Sequence, residues 1–330
     1  MATIFLSHTA EALKNYYGDR ALAGLRALGE VRLNPLGREP DARELIEIAR
    51  GCELIVSYRG TPGFAELFDA SPDLVAFSRC AIDIRNVDVA AASRNGILVT
   101  QASAGFVPSV SEWVVGAMVA LGRNLAASTE AYHAGRVAPA AMGRQLDGAT
   151  VGIIGCGQIG RRLAEICVAL RMHVQVSDPH AQVANDAVAH VDLAALLAQS
   201  DFVVCLAVAN ESTENLVNAG AFACMKRDAF FINASRGNLV DEAALVRALD
   251  SGRLGGCALE VGRAPDQMPT PALAARADVI ATPHAAGLTL PAIEHQSMET
   301  VAQAAEILKG RAPTGAVNAG YWTRKELLKR

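Results

Sequence analysis

Along the first hundred residues, short runs of apolar side chains alternate with longer segments of mixed character. The stretches "TIFLS" at 3–7, "ELIVSY" at 53–58 and "GILVT" at 96–100 have strand length, and helical patterns fill the intervals. That alternation predicts a parallel sheet with crossover helices. After the loop "QASAGFVPS" at 101–109, the mostly apolar segment from Val110 to Leu121 has helix length, with Ser109 or Ser111 available as its cap. Such a helix could join two domains.

From Thr150 the alternation restarts. "TVGIIG" (150–155), "HVQVSD" (173–178), "DFVVCLAV" (201–208), "AFFINAS" (229–235), "GGCALEV" (255–261) and "DVIATPH" (278–284) read as strands spaced by helical segments. They predict a second, longer α/β unit. A final helical stretch at 292–310 is stopped by Gly310 and Pro313 and leads into a basic tail. The fold expected is therefore α/β, with two doubly wound parallel sheets and no internal repeat.

Composition narrows the function without naming it. The chain has 330 residues, 51% hydrophobic and 19% charged, enough for two ordinary cores. A formal charge of -4 with dispersed Lys and Arg gives no basic footprint, so no nucleic-acid partner is expected. The first residues lack a basic segment followed by an apolar core, and no apolar run approaches a membrane span, which predicts a cytoplasmic chain with no membrane partner. Seven cysteines without a C-x-x-C pair read as reduced core residues rather than disulfides or metal ligands.

The sharpest motif is "TVGIIGCGQIGRRLAEI", which places Gly155, Gly157 and Gly160 between a buried strand and the start of a helix. The first glycine permits the tight turn, the second lets backbone approach a pyrophosphate, and the third lets helix pack on strand. Phosphate charge then meets the helix N-terminus. The next strand ends in Asp178, where a carboxylate can bond an adenosine ribose and repel a 2′-phosphate. The cofactor expected is NAD rather than NADP.

Taken together with "SVSEWVVGAMVALGRN" at 109–124, "MKRDAFFINASRGNLVDEAALVRAL" at 225–249 and "TPHAAGLT" at 282–289, this loop makes the chain resemble the D-isomer-specific 2-hydroxyacid dehydrogenases. The resemblance covers nearly the whole chain. It implies a Rossmann cofactor domain at 102–287, inserted in a flavodoxin-like substrate domain made of 1–101 plus 288–330, and a homodimer formed through the region 110–147. It also implies cofactor contacts from Gln158, Ile159, Ala234, Glu260 and His284, besides the three glycines and Asp178. Glu260 stands where the family has an Asp that contacts the nicotinamide amide.

The chemistry fits the residue types. Reducing a 2-keto acid needs a group that binds the carboxylate and polarises the carbonyl, and a proton donor for the developing alkoxide. Arg236, in "ASRGN", offers a planar fork for the first task, and His284, in "TPHAAG", a side chain of the type that titrates near neutrality for the second. The family's third residue, a Glu that pairs with the His, is missing. Its position falls on Pro265 or, with a slip of one, on Ala264, leaving Asp266 and Gln267 as replacements.

The family's carboxylate-binding loop corresponds to Ala81-Ile82-Asp83, before Asn86-Val87-Asp88. Ile82 and Asp83 are thus expected at the substrate. Asp83 stands where a glycine would leave backbone N–H groups to an anion, so it introduces repulsion unless its side chain turns away. An Asp can keep the left-handed backbone such a glycine uses. Arg59 follows a strand end beside Tyr58 and either touches substrate or is a solvated loop residue. Phe106 replaces the Asn of formate dehydrogenases, which argues against formate. The expected function is NAD-dependent interconversion of a D-2-hydroxy acid and a 2-keto acid. The alternative is an NAD-sensing, corepressor-like interaction protein on the same fold, and an enzyme acting on a related oxyanion would keep the same Arg and His.

Overall fold

The computed structural model describes residues 2–181 and 185–329. The chain forms two compact units, Met1–Phe106 with Thr289–Arg330, and Val107–Leu288. Each is built on one fully parallel sheet, as the apolar pattern predicts.

The first unit carries β1 (Thr3–Leu6), β2 (Glu30–Leu33), β3 (Leu54–Ser57), β4 (Ala76–Arg79) and β5 (Leu98–Gln101), in the order β2-β1-β3-β4-β5. The strand order reverses between β1 and β3, the kind of point where open α/β sheets bind ligands at their carboxyl ends. β1, β3 and β4 are buried along their whole length. The sequence pattern missed β2 and β4. β2 is an edge strand whose side chains are largely exposed, so it carries no apolar run. β4 is interrupted by Ser78 and ends in the fully buried Arg79. Ser78 is tolerated because Gln303, on the helix Leu290–Ile307, accepts hydrogen bonds from its hydroxyl at 3.0 Å and from that of Thr100 at 2.8 Å. The tail folds back on this unit: Trp322 is buried and its indole N–H donates to the Val75 carbonyl at 3.1 Å.

The second unit carries β6 (Thr150–Ile154), β7 (His173–Ser177), β8 (Val188–His190), β9 (Phe202–Cys205), β10 (Ala229–Asn233), β11 (Leu254–Leu259) and β12 (Val279–Ala281), in the order β12-β11-β10-β9-β6-β7-β8. Apolar clusters pack on both faces, one around Phe222, Phe231 and Leu245, the other around Met118, Leu163 and Phe202. This is the doubly wound arrangement expected for dinucleotide binding, with its reversal between β6 and β9. The short edge strand β8 escaped the sequence pattern for the same reason as β2. The long apolar helix spans Val107–Gly122, so Ser109 and Ser111 lie inside it rather than capping it. Ser111 instead donates back to the Val107 carbonyl at 2.8 Å. Among the described residues no helix is long and apolar enough to cross a membrane.

Candidate active site

Every chemistry-bearing residue expected in the second unit emerges from the carboxyl end of a strand in its sheet. The glycine loop follows β6, Asp178 follows β7, Ala234 and Arg236 follow β10, Glu260 follows β11 and His284 follows β12. Parallel strands make this inevitable, because all their carboxyl ends point the same way.

The glycine loop has the geometry a pyrophosphate needs. Gly155 adopts φ +97°, and a Cβ there would stand 2.6 Å from the Ala207 nitrogen. A Cβ on Gly160 would collide with the Gly155 carbonyl oxygen, so helix and turn meet only without a side chain. At Gly157 a Cβ would meet nothing within 4 Å, which leaves that backbone open to a ligand. Gly157 caps the helix Gln158–Ala169, whose first N–H groups are thereby presented to an anion. Asp178 accepts from the Cys156 N–H at 2.7 Å, and from the N–H groups of His180 at 2.8 Å and Ala181 at 3.1 Å. Partial burial opposes its ionisation, but the three backbone donors outweigh this and hold its carboxyl below the usual range. The residues present fit NAD.

Two buried side chains that were not anticipated as anchors hold the reactive loops. Asn233, 1% exposed at the end of β10, donates to the Arg236 carbonyl at 3.0 Å and accepts from the Ser235 N–H at 3.1 Å. The Ser235 hydroxyl in turn donates to the Ala207 carbonyl at 2.6 Å. Arg236 therefore stands on a fixed turn, with its NH1 donating to the Ser235 carbonyl at 2.7 Å. Glu260, 3% exposed, gives both carboxylate oxygens to the next loop: one accepts from the Thr282 hydroxyl, the other from the Ala286 N–H. Its carbonyl accepts from the His284 N–H at 3.1 Å. Expected only as a cofactor contact, Glu260 is also the post beneath the histidine loop. Only the strand-end position of these two polar residues could have flagged them in the sequence.

The place of the missing glutamate is taken by a turn. Pro265–Gln267 form a single 3₁₀ turn in which Asp266 and Gln267 adopt φ 56° and 59°. This lifts the Asp266 main-chain carbonyl to 2.8 Å from His284 Nδ1. A carbonyl only accepts, so Nδ1 carries a proton and Nε2 is the ring atom available for proton exchange. Gln267 faces the other loop, where its side-chain oxygen accepts from the Gly237 N–H at 3.4 Å. The turn therefore touches both the arginine loop and the histidine. Of the two replacements expected, Asp266 serves His284 through its backbone, an acceptor that no side-chain pattern reveals.

In the first unit, Asp83 does not take the left-handed backbone that an Asp tolerates. Its side chain turns to Arg85, as described below. Ile82 is 38% exposed. The Arg59 guanidinium lies 5.4 Å from the centre of the Tyr16 ring.

Residues 115–286 match the family model described as D-isomer specific 2-hydroxyacid dehydrogenase, NAD binding domain. The chain belongs to this family. Among D-2-hydroxyacid dehydrogenase relatives, the (S)-sulfolactate dehydrogenase of Chromohalobacter salexigens is 34% identical over 277 residues, covering 82% of this chain and 90% of that protein. The D-3-phosphoglycerate dehydrogenase of Archaeoglobus fulgidus is 32% identical over 279 residues, covering 83% of this chain but 53% of that protein. The chain thus spans about half the length of the phosphoglycerate dehydrogenases it matches. The solved structure of D-2-hydroxyisocaproate dehydrogenase superposes with a TM-score of 0.86 at 21% identity, covering 96% of this chain and 100% of that one, and shows the shared fold.

Proposed function

We propose that the chain is an NAD-dependent oxidoreductase interconverting a D-2-hydroxy acid and its 2-keto acid. One observation carries this reading: Arg236 and His284 stand on turns pinned by buried Asn233 and Glu260, at the same sheet end as a glycine loop fit for a pyrophosphate. The Arg236 fork would grip the substrate carboxylate and carbonyl together, stabilising the charge that grows on oxygen. Bound NADH would supply the hydride to the carbonyl carbon. His284 Nε2 would give its proton to the resulting oxygen, and take it back in the oxidation direction. The Asp266 carbonyl orients the ring as a carboxylate would.

The seven-stranded unit serves as the cofactor domain and the five-stranded unit as the substrate domain, with Ile82, Asp83 and Arg59 on the substrate. A homodimer through 110–147 is supported by the apolar side chains left open there, Leu125, Tyr132, Val137 and Met142. The free cysteines suit a reducing cytoplasm. The corepressor-like alternative draws no support from relatives named as dehydrogenases. A panel of 2-keto acids, beginning with those carrying a second anionic group as the named relatives suggest, should consume NADH and yield the D-hydroxy acid on chiral chromatography. Intact NADH binding with no keto acid reduced would overturn the reading.

A further inference from the structure

The loop proposed to receive the substrate carboxylate holds a carboxylate of its own, and the structure gives that charge a partner. Arg85, two residues beyond Asp83, closes a fork on it. Arg85 Nε lies 3.0 Å from both oxygens of Asp83, and NH2 lies 2.5 Å from Oδ2. The Arg85 backbone N–H adds a third donor, to Oδ1 at 3.0 Å. Two-pronged pairing of this kind fixes direction as well as distance. Beneath the loop, the fully buried Arg79 donates to the Tyr58 carbonyl and, at 2.6 Å, to Asn86 Oδ1. An Asp83 left unmatched would oppose the positive field of Arg79 at the loop, whereas a paired Asp83 presents only a short dipole.

We infer that Arg85 is a positioning residue that masks Asp83, so that the Ala81–Asp83 loop can accept an anionic substrate it would otherwise repel. This rests on reading the loop as the carboxylate-binding one. The Asp83 and Arg85 side chains are 38% and 73% exposed, so water screens the pair and the effect is a matter of affinity rather than of all-or-none activity. It is therefore expected in KM and not in kcat.

The test compares Arg85→Ala, Arg85→Lys, Asp83→Asn and the double variant Asp83→Asn with Arg85→Ala, using glyoxylate with NADH. At low ionic strength Arg85→Ala should raise the keto-acid KM about fivefold, with kcat and the NADH KM nearly unchanged. Roughly 0.5 M salt should shrink that difference, and Arg85→Lys should recover much of it. In the double variant KM should return close to the parent value, since no charge is left to mask. A double variant as impaired as Arg85→Ala would show that Arg85 holds the substrate or the loop shape itself, and would overturn masking. Oxamate binding to the NADH complex, followed by fluorescence quenching, gives the same comparison without turnover. A parent that binds oxamate, with Arg85→Ala unchanged, sinks masking and leaves the functional reading standing. A parent that neither reduces keto acids nor binds oxamate removes the reading, and masking with it.

Discussion

The two sheets differ in how completely the buried polar groups near their carboxyl ends are paired. In the seven-stranded unit, buried Asn233 and Glu260 spend their side chains holding the turns of Arg236 and His284. In the five-stranded unit, both ring nitrogens of His8, the Ser57 hydroxyl and Arg79 Nε are buried without a hydrogen-bond partner among the described residues. The first arrangement suits a constellation that must not move during chemistry. The second leaves a titratable interior, with the His8 ring between those of Tyr17 and Tyr58 at centroid distances of 4.9 and 5.3 Å. The turns of Arg236 and His284 are pre-organised, and His8 gives the five-stranded unit a dependence on pH.

The largest effect expected is from removing a post. Glu260→Ala leaves the buried Ala286 N–H and the Thr282 hydroxyl without their acceptor, a loss of about 3 kcal/mol by the usual cost of such bonds. Urea denaturation should register it, and kcat should fall more than NADH affinity because the histidine loop is freed. A variant as stable and active as the parent would break the contrast between the two sheets.

Next comes the pH response of the five-stranded unit. Burial, reinforced by Arg79, pushes the His8 imidazole down to about 3. The unfolded chain, with histidine near 6.5, therefore binds the proton first as pH falls. Stability contributed by neutral His8 is complete above about pH 6.5 and is lost by up to about 1.4 kcal/mol per pH unit as pH falls toward 3. Denaturation at pH 7.5 and pH 5 should reveal the slope, and His8→Phe, which keeps a ring between the tyrosines, should flatten it. Equal slopes in both proteins would refute the assignment to His8.

The smallest effect sharpens the account of the cofactor side. Asp178→Ala removes the carboxylate proposed to accept from the adenosine ribose and should weaken NADH by about tenfold while improving NADPH, as the loss of one charged hydrogen bond implies. Fluorescence titration of both cofactors measures it. An unchanged preference would place discrimination elsewhere.

What could be read in advance follows from where each signal resides. Central strands such as β3 and β9 are buried throughout and announce themselves as apolar runs. β2 and β8 lie at sheet edges and β4 buries a serine and an arginine, so their physics is that of hydrogen-bond partners far away in sequence. The glycine loop and the proposed pair Arg236 and His284 could be named in advance because their chemistry belongs to side-chain type and spacing. The Asp266 carbonyl was not, because every residue has one and only the left-handed turn aims it. Arg85 was passed over because masking depends on the direction in which Asp83 turns.

The central claim is that Arg236 acts as a two-pronged transition-state donor in the same unit that holds NAD. It is tested most directly by measuring kcat/KM of Arg236→Lys on the best keto acid beside its NADH affinity. The account predicts a loss of about a hundredfold in kcat/KM, near 3 kcal/mol, with NADH binding unchanged. A lysine variant within threefold of the parent would contradict it.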